Sequence, residues 1–393
     1  MYVTRRHSEI VKSTEIFTTQ PSSDGPNSGY LVIQDDEDSE TYTCFGFCKK
    51  RALVGLPFPQ NKEFLVRYTI SDGGDNKVSL DHVFLIPVLN QPLSSNRYYA
   101  IAPNGEAFTC SKQEDKSTCC FIFRCVRDVK TMPLDPHNVY QQLEIAPYQS
   151  LCASRNSFFA NSIASDGFPP TFLRRDGSTI HTKTPRNFKL ERAQGLDSVL
   201  RARLPEFDFP LSRKSSEPFV VGKWYSPFVF VKEGTVSDQV TRSMYYEVTL
   251  EQRWEQIFTC RNKSNDTKVA IDVFLENEEV FVGGTTAEWK EKSVVNGVIW
   301  FTSYGHGGKK SSVGLREEIV ERMKWEQARG GWVKGDERRA SKINKVEEVK
   351  EGVVWSEFGC YALVERFNLK RIDGSLVMSY DFKHFNKLRT KWE

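Results

Sequence analysis

The chain has 393 residues, 39% of them hydrophobic and 27% charged, which is an ordinary globular balance, excludes wholesale disorder and leaves room for two domains. Its 54 basic and 51 acidic side chains leave a net charge of +3, too little for the concentrated basic face that nucleic-acid binding requires.

The N-terminal residues, Met1 to Gln20, carry no apolar core of signal-peptide length, and Glu9 and Glu15 are unlike an organelle transit peptide. Tyr2 excludes N-myristoylation. The longest apolar run, Val83 to Leu89, is interrupted by Pro87 and falls short of the ~20 residues a bilayer span needs. The expectation is a soluble protein of the cytosol or nucleus with no membrane insertion. Its nine cysteines are then expected as reduced thiols. The sequons at Asn262 and Asn265 carry no meaning in that setting.

Residues 1–26 are polar, end in Pro21-Ser-Ser-Asp-Gly-Pro26 and read as an extended arm. The first module, 27–150, shows short alternating or apolar runs broken by turn residues, a β pattern. Its strands are expected at Tyr30–Gln34, Thr43–Cys48, Phe64–Ile70, His82–Val88, Tyr98–Ala102 and Cys120–Val126, with a turn at Ser71–Asp75. Residues 151–217 differ. Between 151 and 215, eight Arg and three Lys stand against four Asp and two Glu, with Pro, Ser and Gly scattered among them. They read as a basic linker or surface insertion.

The second module, 218–393, holds all eight tryptophans of the chain, the mark of a large core. A helix is expected from Thr249 through Phe258, where Thr249-x-x-Gln252 has capping-box form. Another is expected over Leu315–Ala328, with Leu315, Ile319 and Met323 on one face and Gly330-Gly331 ending it. Strands are expected at Lys268–Leu275, Glu279–Val282, Val298–Tyr304 and Tyr361–Lys370. The last of these opens a hairpin that turns at Asp373-Gly374, with one face buried and one wet. The fold class is therefore α+β and β-dominated: two β-rich modules, with a few helices in the C-terminal one. A weak repeat relates Tyr30–Pro59 to Tyr99–Pro136; duplication and mere likeness of aromatic-rich strands account for it equally.

Several stretches resemble a known family. Asn27-Ser-Gly-Tyr-Leu-Val-Ile-Gln34, Leu56-Pro-Phe-Pro-Gln60 and Ile86-Pro-Val-Leu-Asn-Gln-Pro-Leu-Ser-Ser-Asn-Arg-Tyr-Tyr99 are similar to the plant-specific domain-of-unknown-function family 1262. So are Gly222-Lys-Trp-Tyr225, Thr249-Leu-Glu-Gln-Arg-Trp254, Glu321-Arg-Met-Lys-Trp-Glu-Gln327 and Lys391-Trp-Glu393. The resemblance implies a land-plant protein associated with stress or defence responses. Some members carry a label likening them to insecticidal crystal toxins. The resemblance supplies no catalytic residues.

The residues themselves offer little chemistry. Cys44-x3-Cys48 and Cys120-x4-Cys125 are not zinc knuckles, and on a strand Cys44 and Cys48 stand roughly 13 Å apart, so no metal is expected. No G-x-S-x-G elbow or H-E-x-x-H helix occurs, and the six histidines are scattered. The acidic run 35–40 lacks the form of an EF-hand loop and reads as a solvated loop. The best candidate site is anion binding at Gly305, His306, Gly307, Gly308, Lys309, Lys310 and Ser311, between an expected strand and an expected helix. Ser303 and Lys310 break the P-loop pattern there, and a mobile glycine loop is the competing reading. The functional expectation is a non-catalytic interaction or regulatory protein with an unidentified protein partner and no cofactor. The alternative is a binder of a small phosphorylated or anionic ligand, conceivably an enzyme, at residues 305–312.

Overall fold

A computed structural model describes residues 1–12, 25–34, 42–43, 48–49, 55–72, 75–120, 123–148, 157–174, 178–183, 188–263, 266–290, 294–334 and 340–393. The protein is strand-dominated, and the chain divides into two compact units. One comprises Met1–Ala193 with Tyr225–Tyr246, the other Gln194–Trp224 with Glu247–Glu393. The expected runs 35–40 and 44–47 and the glycines of the Ser71–Asp75 turn lie outside the described residues.

The first unit is built on a closed antiparallel barrel of six strands in the order Gln142–Pro147, Ser157–Ser162, Ser178–Lys183, Glu63–Asp72, Asp75–Pro87 and Arg97–Ile101. Two of these, Ser157–Ser162 and Ser178–Lys183, come from the stretch that reads as a linker in the sequence. Alternation closes the core: Phe64 and Val66, Val83 and Leu85, Tyr98 and Ala100 all face inward and are buried. Phe58 fills the centre. It is fully buried, and its ring meets those of Phe64, Tyr98 and Phe158 at 5.7, 5.9 and 4.9 Å between centroids.

Motif residues of the first unit thus do structural work. The Phe58 N–H donates to the Tyr98 hydroxyl (3.0 Å), while the Gln60 amide donates to Phe58 O and accepts from Val32 N–H. Burial raises the pKa of the Tyr98 phenol, which its bond with the Phe58 backbone offsets only in part. The first residues are no extended polar arm. Tyr2–Arg6 is a strand, parallel to Gly29–Ile33, with Met1, Tyr2 and Val3 buried, and His7–Lys12 is a helix.

In the second unit a sheet runs Lys310–Arg316, Val298–Tyr304, Thr285–Glu288, Glu278–Val282, Leu376–Trp392 and Glu357–Arg371. It continues into the parts of Tyr245–Arg261 and Phe219–Pro227 that belong to this unit. The helix expected at 249–258 is strand. Val248, Leu250, Gln252 and Trp254 are buried at period two, and this alternation outweighs the four-residue capping signal. The second expected helix begins two residues late, at Glu317, and runs to Arg329. Leu315 ends the preceding strand instead, although Leu315, Ile319 and Met323 are all buried as expected. A separate strand pair, Lys268–Glu276 with Ala340–Glu348, turns Val269, Ile271, Leu275 and Ile343 toward Trp355 and Phe358.

Cys110, Cys260 and Cys360 are free thiols, whereas Cys125 is disulfide-bonded, against the expectation of nine reduced cysteines. No helix among the described residues is long and apolar enough to cross a membrane.

Candidate functional site

The glycine loop takes a different context from the one its sequence suggests. Val298–Tyr304 pairs antiparallel with Lys310–Arg316, bringing Tyr304 opposite Lys310, Thr302 opposite Ser312 and Trp300 opposite Gly314. Residues 305–309 are the turn of this hairpin. Gly307 and Gly308 adopt φ of 76° and 75°, which glycine tolerates without strain. The turn consumes two of its own amides: Gly305 N–H donates to Lys309 O, and Gly308 N–H to Gly305 O. The chain then continues as strand, so Ser311 and Ser312 cap no helix, and the helix dipole expected beside the loop lies beyond Arg316. Ser312 instead shares a hydrogen bond with Thr302 (2.9 Å).

One of the sequence-selected residues, Lys310, lines a groove of about 590 Å³ on this unit. Strand alternation builds its first wall. Phe301 and Ser303 face the core, so Trp300, Thr302 and Tyr304 face outward together, with Trp300 43% and Tyr304 59% exposed. Gly314 opposite Trp300 leaves the indole without a cross-strand side chain.

A second hairpin supplies the floor. Glu278–Val282 and Thr285–Glu288 are joined by Gly283-Gly284, both at positive φ, the conformation a two-residue primed turn demands. The following residue, Trp289, packs against Phe301 and Tyr380 at 5.7 and 5.8 Å between centroids and also lines the groove.

Four carboxylates reach this groove: Glu276, Glu278, Glu279 and Glu288. Two are matched. Glu279 pairs with Lys383 at 2.6 Å. Burial opposes the charge on Lys383, yet Glu255 and Glu279 outweigh it and hold its pKa above the ordinary value. Glu278 is buried; its Oε2 accepts from the Tyr380 hydroxyl and lies 3.5 Å from Lys324 Nζ. Its Oε1 has no hydrogen-bond partner among the described residues. Lys290 and Lys310 complete the lining.

A second polar cluster of this unit is buried and closed. Arg201 donates from Nε to Glu365 Oε1 (2.8 Å) and from Nη2 to Oε2, while Gln252 Nε2 donates to Oε1 (2.7 Å). Arg201 Nη1 also donates to Glu326 O on the Glu317–Arg329 helix (3.1 Å). His384 Nε2 stands 3.5 Å from Glu365 Oε2, and both residues are wholly buried. Burial pushes the Glu365 carboxyl up, but His384 and Arg201 overcome it and hold the pKa at about 2. Burial holds the His384 imidazole below its ordinary value, against the pull of Glu365. A His–carboxylate pair shut away from solvent ties the Glu357–Arg371 and Leu376–Trp392 strands together; it offers a substrate no approach. Among the described residues no group of metal-ligating side chains converges.

A sequence profile of the family described as "Protein of unknown function (DUF1262)" matches residues 24–121. No curated protein matches the chain. Among solved structures, "Crystal structure of Cry35Ab1" is similar in outline, at 12% identity and a TM-score of 0.45, covering 85% of this chain and 90% of that one.

Proposed function

We propose that this protein is a non-catalytic interaction protein and that the groove of its second unit is the binding surface. The observation that carries the proposal is the outward pair Trp300 and Tyr304 beside Trp289, on a groove edged by carboxylates and lysines. Exposed aromatic rings that converge on a concave surface with a few polar groups are the ordinary composition of a ligand site. The proposal extends to a regulatory role in stress or defence in the plant cytosol or nucleus, which rests on the family resemblance alone.

The second reading is anion binding at residues 305–312. Lys309 and Lys310 stand exposed at a turn with two positive-φ glycines, which favours it. The groove beside the turn works against it: Glu278 and Glu279 are matched by Lys324 and Lys383, and Glu276 and Glu288 offset Lys290 and Lys310, so an anion gains no net attraction there.

The experiment places a photo-crosslinking amino acid at position 304, inside the groove, and in a second protein at position 354, which is 91% exposed and outside it. Irradiation in plant extract should give discrete adducts at 304 and none at 354, each adding the mass of an intact ligand. Equal labelling of both positions, or an added mass that matches a reaction product of the ligand, would overturn the proposal.

A further inference from the structure

The balance of groups in the groove narrows what it holds. Of the four carboxylates, Glu278 and Glu279 already face Lys324 and Lys383. Glu276 and Glu288 remain, against Lys290 and Lys310, so the charge left for a ligand is close to zero. A strongly cationic or anionic ligand gains nothing from that balance. Hydrogen-bonding capacity of both kinds is nevertheless abundant. The carboxylates accept, the lysines donate, and the Thr286 hydroxyl does either.

The aromatic residues add a shape requirement. Trp300 and Tyr304 lie four residues apart on one face of a strand, roughly 13 Å by the strand rise. Rings spaced so offer two separate platforms for flat apolar faces, with hydrogen-bonding groups around them. We infer that the groove binds a neutral, hydroxyl-rich oligosaccharide long enough to engage both Trp300 and Tyr304, an inference that rests on the binding role proposed above.

Such a chain presents apolar C–H faces to the rings. Its hydroxyls donate to Glu276 and Glu288 and accept from Lys290 and Lys310. A monosaccharide reaches one platform only and binds correspondingly worse.

The test is calorimetric titration of the full chain with cellohexaose, laminarihexaose and glucose, with spermine and inorganic phosphate as charged probes. One hexasaccharide should bind, glucose should bind at least about tenfold more weakly, and Trp300→Ala or Tyr304→Ala should each weaken the hexasaccharide about tenfold. Trp300→Phe, which keeps a platform, should recover much of that loss. Melting curves of the variants, both altered at exposed positions, should match the parent.

Binding of spermine or phosphate with none of either hexasaccharide overturns the saccharide assignment. If position 304 still captures a ligand by crosslinking, the binding role survives that failure. Silence in both experiments removes the role as well. Hexasaccharide binding that is indifferent to Trp300→Ala and Tyr304→Ala overturns the groove as its site.

Discussion

Arg201 reaches Glu365, 164 residues further along the chain, through Nε and Nη2 together, joining the short Ser198–Arg203 helix to the middle of the Glu357–Arg371 strand. A two-donor contact between planar groups fixes orientation as well as distance. Truncating one partner strands the other charge in the core. Arg201→Ala or Glu365→Ala is therefore expected to cost about 3–5 kcal/mol, read from urea midpoints. The paired replacement Arg201→Met with Glu365→Leu should cost less than either single change. An additive double variant would show that the contact is unimportant.

The same cluster sets a pH dependence. Glu365 holds its proton-free form down to about pH 2, whereas the unfolded carboxyl protonates near its ordinary value of 4.5. The unfolded chain thus binds the proton first, and stability is lost as pH falls from about 4.5 toward 2. His384 acts in the same direction from higher up. Its folded pKa lies below the ordinary 6.5, so stability also falls as pH drops below that value. Between about pH 7 and 8 melting temperature should be flat; it should decline below about pH 6.5 and decline again below about 4.5. In His384→Gln the first decline should shrink and the second persist. An unchanged profile in that variant would exclude His384 as the upper group.

In the barrel, removing the Phe58 ring leaves a hole among Phe64, Tyr98 and Phe158. Phe58→Ala is expected to destabilise the first unit by about 3–5 kcal/mol. Tyr98→Phe keeps the ring and removes the acceptor of the Phe58 N–H, a buried donor, and should cost about 1–3 kcal/mol. Chemical denaturation followed by tyrosine and tryptophan emission distinguishes the two. A loss in Tyr98→Phe as large as in Phe58→Ala would contradict this division.

How much of this was legible in the sequence depends on how local each signal is. Strands with clean alternation, such as Phe64–Ile70 and Val298–Tyr304, stand close to where their residues place them. Thr249–Phe258 misled because a capping box spans four residues, whereas the alternation from Tyr246 to Trp254 only has meaning once both faces are known. Leu315 has helical spacing to Ile319, yet cross-strand pairing with Ile299 claims it for the sheet. The glycine loop reads as a strand-to-helix connection, but the residues before it carry the stronger signal. Trp300-x-Thr302-x-Tyr304, aromatic residues on the wet face of an alternating strand, was the available signal for the groove. Glu278 and Trp289 could not be added from sequence, since only the pairing of three further strands brings them near.

The C-terminal hairpin gives the last prediction. Asp373-Gly374 reads as a two-residue primed turn, but Asp373 is not at positive φ. The turn closes through Gly374 N–H to Arg371 O and Arg371 N–H to Ser375 O. It is a three-residue loop with glycine in the left-handed position, and the register shifts at Leu369/Lys370 to accommodate it. The face expected to be wet is also largely covered. Arg366 meets Asp381 through two donors, and Asn368 accepts from the Ser379 hydroxyl (2.7 Å). Gly374 sits at φ 85° with open space around its Cα, so a side chain there costs backbone strain alone. Gly374→Val should therefore destabilise by about 1–2 kcal/mol, and Gly374→Asn by less, because Asn tolerates the left-handed region. Equal losses for the two would indicate a clash in place of strain. Arg366→Ala should weaken the same hairpin without moving the turn, visible as faster amide exchange along 366–381 with the Gly374 amide signal unshifted. A shifted Gly374 signal in Arg366→Ala would mean that the ion pair, and not the glycine, sets the register.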